Sequence, residues 1–271
     1  MPGASWKRAV PLTYLPTRKA RWRVNFWIGA SRRWRSRPAR RVKPRARRRF
    51  VAEFFDKYGA LLAQGTLDTL VMTIASCLFA YLVGMPLGIW FSVTAPGGLR
   101  PNRAVNTVLG WIINIGRSIP FIILLVAIIP FTRLVVGTSL GVAGAVVPLT
   151  VAAAPFVARI VEQSLAEVDK GLIEAAHSFG ASNFQIVTKV MLKESLPSLV
   201  RGAAITFVNL FGYSAMAGTV GAGGLGDIAI RYGYQRFQGD VMLVAVVLCV
   251  VLVQVFQTLG DLLARAIDKR A

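Results

Sequence analysis

Five apolar stretches, each long enough to cross a bilayer, constrain this chain more than any other feature in it. They run roughly Leu67–Val93, Ala104–Phe131, Thr138–Val161, Val200–Val220 and Val241–Ala264. A hydrocarbon core needs about 20 apolar residues at about 1.5 Å of rise each. Such runs are helices, because an isolated strand in lipid leaves its backbone groups unpaired. The mean hydropathy of +0.56 and the 55% share of hydrophobic residues agree with an all-α polytopic membrane protein. Pro86, Pro120, Pro148 and Pro155 place internal breaks in three of the spans. Small residues at Gly84 and Gly88, at Gly141 and Gly144, and at Gly212, Ala215 and Gly218 predict closely packed helices.

Five spans put the two ends of the domain on opposite sides of the membrane, and basic residues choose which is which. The segments after spans one, three and five carry Arg100 and Arg103; Arg159, Lys170, Lys189, Lys193 and Arg201; and Arg265, Lys269 and Arg270. The other side carries only Arg133, Arg231 and Arg236. The loop between spans three and four and the C-terminus are therefore expected in the cytoplasm, in a multi-pass protein of the cell (inner) membrane.

The formal net charge of +20 is uneven along the chain: residues 1–50 hold 17 Lys or Arg and no acid. Residues 51–271, the expected transmembrane domain, hold 15 basic and 12 acidic residues. A basic arm on the outer side contradicts the rule that orients the rest, and its one apolar run, Val24–Ala30, is too short to span. Three readings stand for residues 1–50. They are a disordered arm binding anionic lipid or nucleic acid, a tail without function, or a translation start assigned upstream of a true start near Val51. The last is preferred, because the Arg, Pro, Ala and Trp bias is what a GC-rich upstream stretch gives when translated.

Cys77 and Cys249 lie in apolar runs and read as small buried hydrophobes. His177 is the sole histidine, which argues against a His-rich metal site or a Ser-His-Asp centre. No catalytic, metal or cofactor-binding residue is assigned.

Residues 169–197, between spans three and four, are patterned. Asp169 can cap a helix in which Leu172, Ile173, Ala176 and Phe179 recur at helical spacing. Gly180 falls where a helix ends in positive φ. Ser182 and Gln185 form a capping-box pattern opening a second helix, with Ile186, Val187, Val190 and Met191 on one face. Leu196-Pro197 is expected to end that helix and lead into span four. Two short amphipathic helices joined by a glycine turn can lie on lipid or offer their apolar face to a partner.

Glu174-Ala175-Ala176, Gly180, Ile186 and Leu196-Pro197, in that order and spacing, resemble the coupling-loop signature of ABC importer permeases. The resemblance implies a loop that docks in a cleft of a separate ATPase subunit. The small residues would permit close approach, Glu174 would meet a basic partner, and Gly180 would make the turn. Over about residues 54–271, Arg117-Ser118-Ile119-Pro120-Phe121, Ile129-Pro130-Phe131-Thr132-Arg133, Val136-Gly137-Thr138-Ser139 and Gly212-Tyr213-Ser214-Ala215-Met216 are similar to the methionine-uptake subfamily. That resemblance implies a five-span homodimer with two ATPase subunits and an extracytoplasmic substrate-binding protein, importing L- and possibly D-methionine. ATP and Mg would be bound by the ATPase, not by this chain.

Polar residues inside spans are costly and mark paths or partners. Arg117, placed mid-span, reads either as lining the route near the cytoplasmic mouth or as capping helix carbonyls. Asn114, Ser118, Asn209, Tyr213 and Ser214 are further path candidates, and they serve equally as glue between helices. Met216, between Gly212 and Gly218, can plug a dimer axis as a gate or simply pack.

Gly221-Ala222-Gly223-Gly224-Leu225-Gly226 matches a dinucleotide-binding pattern but lacks the strand before it and the acid about 20 residues on. A tight external loop where the binding protein docks is the preferred reading. No Gly-Lys-Ser/Thr phosphate loop occurs in the sequence, so ATP hydrolysis has to come from another subunit. The rivals are an ABC permease for another amino acid or small polar solute, an ion-driven secondary transporter, an intramembrane enzyme and a nucleic-acid binder. The spans hold no central Asp or Glu for ion coupling. They hold no catalytic constellation either, and nucleic-acid binding rests on residues 1–50 alone.

Overall fold

The computed structural model describes residues 44–268, with side chains from residue 52 onward. The described residues from Phe54 onward form one compact unit. The readings placed on residues 1–43, and the charges of Lys269 and Arg270, lie outside the described residues.

Prolines decide where helices continue and where they break. Helix α1 (Pro44–Thr94) carries Pro86 without interruption. It runs through the expected boundary at residue 51 and contains the whole expected span Leu67–Val93. Helix α2 (Arg103–Ser118) opens on an Asn102 cap, with the Val105 N–H donating to Oδ1 at 3.1 Å. It ends at Ile119 in extended conformation, since a residue before proline is pushed out of the helical region. Helix α3 (Phe121–Ala127) then leaves at 99° to α2. The expected span Ala104–Phe131 is therefore not a single straight helix. Ile129–Val136 forms α4, ended by Gly137 at φ +76°.

Helix α5 (Gly141–Ala166) contains both Pro148 and Pro155, where breaks were expected, yet stays continuous. After α5 come α6 (Lys170–Ser178), α7 (Asn183–Gln185), a π turn at Ile186–Met191 and α8 (Leu192–Glu194). Helix α9 (Leu196–Gly218) has Leu196 and Pro197 in its first turn. That pair therefore starts span four and does not end the preceding helix, consistent with proline's tolerance at a helix start. Helix α10 (Gly224–Ile228), a π turn at Ala229–Tyr234 and α11 (Gly239–Ile267) complete the chain. Among the described residues, four helices are long and apolar enough to cross a membrane, and the bent α2–α3 pair makes a fifth if counted as one span.

The interior is built around α5. A cluster of Met72, Leu149, Val157, Val161, Leu165, Leu199 and Leu210 joins α1, α5 and α9. Gly84 and Gly88 set how closely α1 approaches: a Cβ at Gly84 would stand 2.6 Å from the Ala154 carbonyl oxygen, and one at Gly88 2.5 Å from that of Ala158. Outward, α11 exposes Leu243, Val247, Val250 and Leu259, as a helix bordered by lipid does.

Candidate functional site

The loop after α5 is shaped by caps. The Gly171 N–H donates to Asp169 Oδ1 at 2.6 Å, which starts α6. At its end the Ala181 N–H reaches the Ala176 carbonyl at 3.1 Å and the Gly180 N–H that of His177 at 2.9 Å. This Schellman closure needs a left-handed residue at position 180, and Gly180 has φ +78°. The next turn is a complete capping box: the Gln185 N–H donates to Ser182 Oγ at 3.3 Å, and the Ser182 N–H to Gln185 Oε1 at 2.9 Å.

The two helices do not offer a single apolar face outward. Ile173 and Ala176 pack against the core, together with Ile186, Val187 and Met191 of the π turn, and Ile186 is 0% exposed. Those residues anchor the loop to Leu165, Val168 and Leu199. Ser195 secures the exit, its hydroxyl donating to the Met191 carbonyl at 2.8 Å. Among the residues left outside are Leu172, Glu174, Ala175, Gly180 and two aromatic rings, Phe179 at 91% and Phe184 at 77% exposure. The Glu174 carboxylate has no ion pair or hydrogen bond among the described residues. Leu196 is exposed and Pro197 half-buried at the start of α9. Phe184 is the residue sequence reasoning missed. A regular helix would place it over Val187 and Met191, on the buried face, but the wider π turn breaks that register.

A second feature runs along α9. Arg201, Ile205, Asn209, Gly212 and Met216 are exposed at steps of three and four residues, forming one open stripe. A Cβ at Gly212 would meet nothing within 4 Å, and Met216 is 48% exposed. The other path candidates separate from it. Ser214 turns inward and donates to the Phe211 carbonyl at 2.7 Å. Tyr213 stacks on Phe121 of α3, ring centroids 4.7 Å apart and 9° from parallel. Arg117 is exposed in the last turn of α2, at the α2–α3 break and roughly 20 Å of helix from Arg103. It makes no hydrogen bond or ion pair among the described residues, so the carbonyl-capping alternative finds no contact there. The Ser118 hydroxyl beside it donates to the Asn114 carbonyl at 2.7 Å.

The glycine-rich segment reverses the chain. Gly221, Gly223 and Gly224 all have positive φ, and α10 folds back between α1 and α9. The Leu225 N–H donates to Thr69 Oγ1 at 2.9 Å, and Gly224, Leu225, Gly226 and Ile228 are buried. The segment is thus a packed turn held against α1 and α9, mostly covered by this chain and not open as the expected docking loop would be. No group of three or more His, Cys, Asp or Glu able to hold a metal occurs among the described residues.

A sequence profile of the binding-protein-dependent transport system inner membrane components matches residues 84–271. The chain belongs to this family. It is 49% identical over 220 residues to a Vibrio cholerae protein named as a probable D-methionine transport system permease, MetI, covering 81% of this chain and 98% of the relative. It is 53% identical over 158 residues to the D-methionine transport system permease protein MetI of Escherichia coli K12, covering 58% and 73%. A chain of the MetNI methionine ABC transporter, solved in inward-facing conformations, superposes with a TM-score of 0.78 at 50% identity, over 79% of this chain and 99% of that one. An amino acid ABC transporter solved with histidines shares the fold at 19% identity and a TM-score of 0.65. As an inner membrane component of a binding-protein-dependent transport system, this family member places its apolar helices in lipid.

Proposed function

We propose that this chain is the membrane-spanning subunit of an ATP-driven methionine importer. It works as a homodimer, beside a separate ATPase that holds ATP and Mg and a substrate-binding protein on the far side. The observation that carries this reading is the rigid, doubly capped loop with Glu174, Ala175 and Gly180 exposed, in a chain half identical to methionine permeases. Residues 51–271 act as the transmembrane domain, and the loop at 169–197 and the C-terminus face the cytoplasm, as the basic residues argue. Glu174, Ala175, Ala176, Gly180 and the rings of Phe179 and Phe184 meet the ATPase. Ile186, Leu196 and Pro197 transmit its movement to α5 and α9.

The open stripe of α9 faces the second copy across the path, with Asn209 lining it and Met216 as the gate at the dimer axis. Tyr213, Ser214, Arg117 and Ser118 act around the path from the α2–α3 break. Replacing Met216 with alanine is expected to raise basal ATP hydrolysis or substrate leak by roughly threefold; unchanged rates of both would contradict the gate. The chain itself carries out no hydrolysis. Growth tests the whole reading. A methionine auxotroph stripped of its own importers is expected to grow on micromolar methionine when the three components are expressed. Failure to grow, with all three in the membrane or periplasm, would overturn the substrate.

A further inference from the structure

A cavity of about 230 Å³ lies at the end of the bundle opposite the capped loop, between α3, α4, the first turns of α5 and the last turn of α9. The length of α5, on the order of 35 Å, separates the two. Most of its wall is apolar, from Leu125, Ile129, Pro148 and Ala217. Two polar residues adjoin that wall. Thr132 is 2% exposed, and its buried hydroxyl has no hydrogen-bond partner, a costly arrangement in a native interior. At the rim, the exposed Arg133 is steadied by Ser139, its Nε donating to Oγ at 3.2 Å. Its Nη groups make no ion pair among the described residues.

From this geometry we infer that each copy of the chain holds one substrate amino acid in this cavity before it enters the central path. The inference rests on the importer reading above. A guanidinium fixed through one nitrogen and free at the others suits a carboxylate, which it takes in a two-pronged fork. The apolar wall takes an unbranched, weakly polar side chain. The α-ammonium remains at the open rim, in water. The volume is below that of drug-sized sites and matches a single small molecule. On this account the binding protein delivers methionine to a receiving site, not directly to the gap between the two copies.

The test is equilibrium binding of radiolabelled methionine to the purified complex of this chain with its ATPase, without the binding protein. Saturable binding at one methionine per copy is expected. Arg133→Gln, at an exposed position, should weaken it by roughly tenfold or more, whereas Thr132→Val, which changes a hydroxyl buried away from the cavity, should not. Both variants are checked for co-elution with the ATPase, so that loss of fold is recognised. Absence of saturable binding up to millimolar methionine, or binding unaffected by Arg133→Gln, would overturn the proposal. Leucine bound instead of methionine, still in an Arg133-dependent manner, would support the site and overturn its methionine occupant. The growth assay above is independent of this cavity, so failure here leaves the importer reading separately decided.

Discussion

Gly180→Val is expected to uncouple ATP hydrolysis from uptake while leaving the chain folded in the membrane. Gly180 closes α6 at φ +78° and starts the turn that presents Phe179 and Phe184. A β-branched residue resists that conformation, at about 1–3 kcal/mol. Space is not the obstacle, because a Cβ there would meet nothing within 4 Å. The strain is relieved by opening the Schellman closure, which moves the rings and Glu174 relative to the anchored π turn. Uptake should fall roughly tenfold or more, the equivalent of about 1.4 kcal/mol in coupling, with ATP hydrolysis retained. Gly180→Asn separates conformation from side-chain loss, since asparagine visits the left-handed region more readily. It should keep most of the transport. Uptake by Gly180→Val equal to that of the unmodified chain would show that the turn does not carry the coupling.

Gly88→Leu should act earlier, on the fold itself. The distance of 2.5 Å from a Cβ at this position to the Ala158 carbonyl oxygen, and 2.7 Å to Val161 Cβ, leaves no room for any side chain. One obstacle is backbone, so a rotamer change cannot relieve it; α1 would have to part from α5. Overpacking in ordinary cores costs about 1–3 kcal/mol, and a helix separation stands at or above the top of that range. Against a total stability of about 5–15 kcal/mol, the yield of monodisperse, detergent-extracted protein should drop severalfold. Gly239→Leu is the control, because the same enlargement there meets open space, away from the stripe of α9. Equal yields of Gly88→Leu and Gly239→Leu would contradict the packing described.

How much of this was legible in the sequence depends on whether a local rule or a tertiary contact decided the outcome. Asp169, Gly180, Ser182 and Gln185 were readable, because caps and left-handed turns are set by residues a few positions apart. Four spans were readable from hydropathy, and Pro120 as a break was too. The size of that break was not, nor was the continuity of α5 through Pro148 and Pro155, since neighbouring helices decide whether freed carbonyls find new partners. The direction of the loop's apolar residues was misjudged for a similar reason. Periodicity identifies a face but not what covers it, and the face at Ile186, Val187 and Met191 is covered by this chain's own α5 and α9. Phe184 was hidden by a π turn that straight-helix spacing does not anticipate. The glycine-rich segment looked external because glycines usually mark surface turns; its burial follows from Thr69 and Gly65, both distant in sequence, and from close packing on Gly218.

The central claim is that movement of a partner ATPase reaches α5 and α9 through the loop at 169–197 and drives methionine inward. Its most direct test is accumulation of radiolabelled methionine by proteoliposomes containing this chain with its ATPase, supplied with the binding protein. The account predicts accumulation with ATP and none with a non-hydrolysable analogue, and its loss in a Glu174→Lys chain that still inserts. Accumulation driven by an ion gradient in the absence of the ATPase, or undiminished by Glu174→Lys, would contradict it.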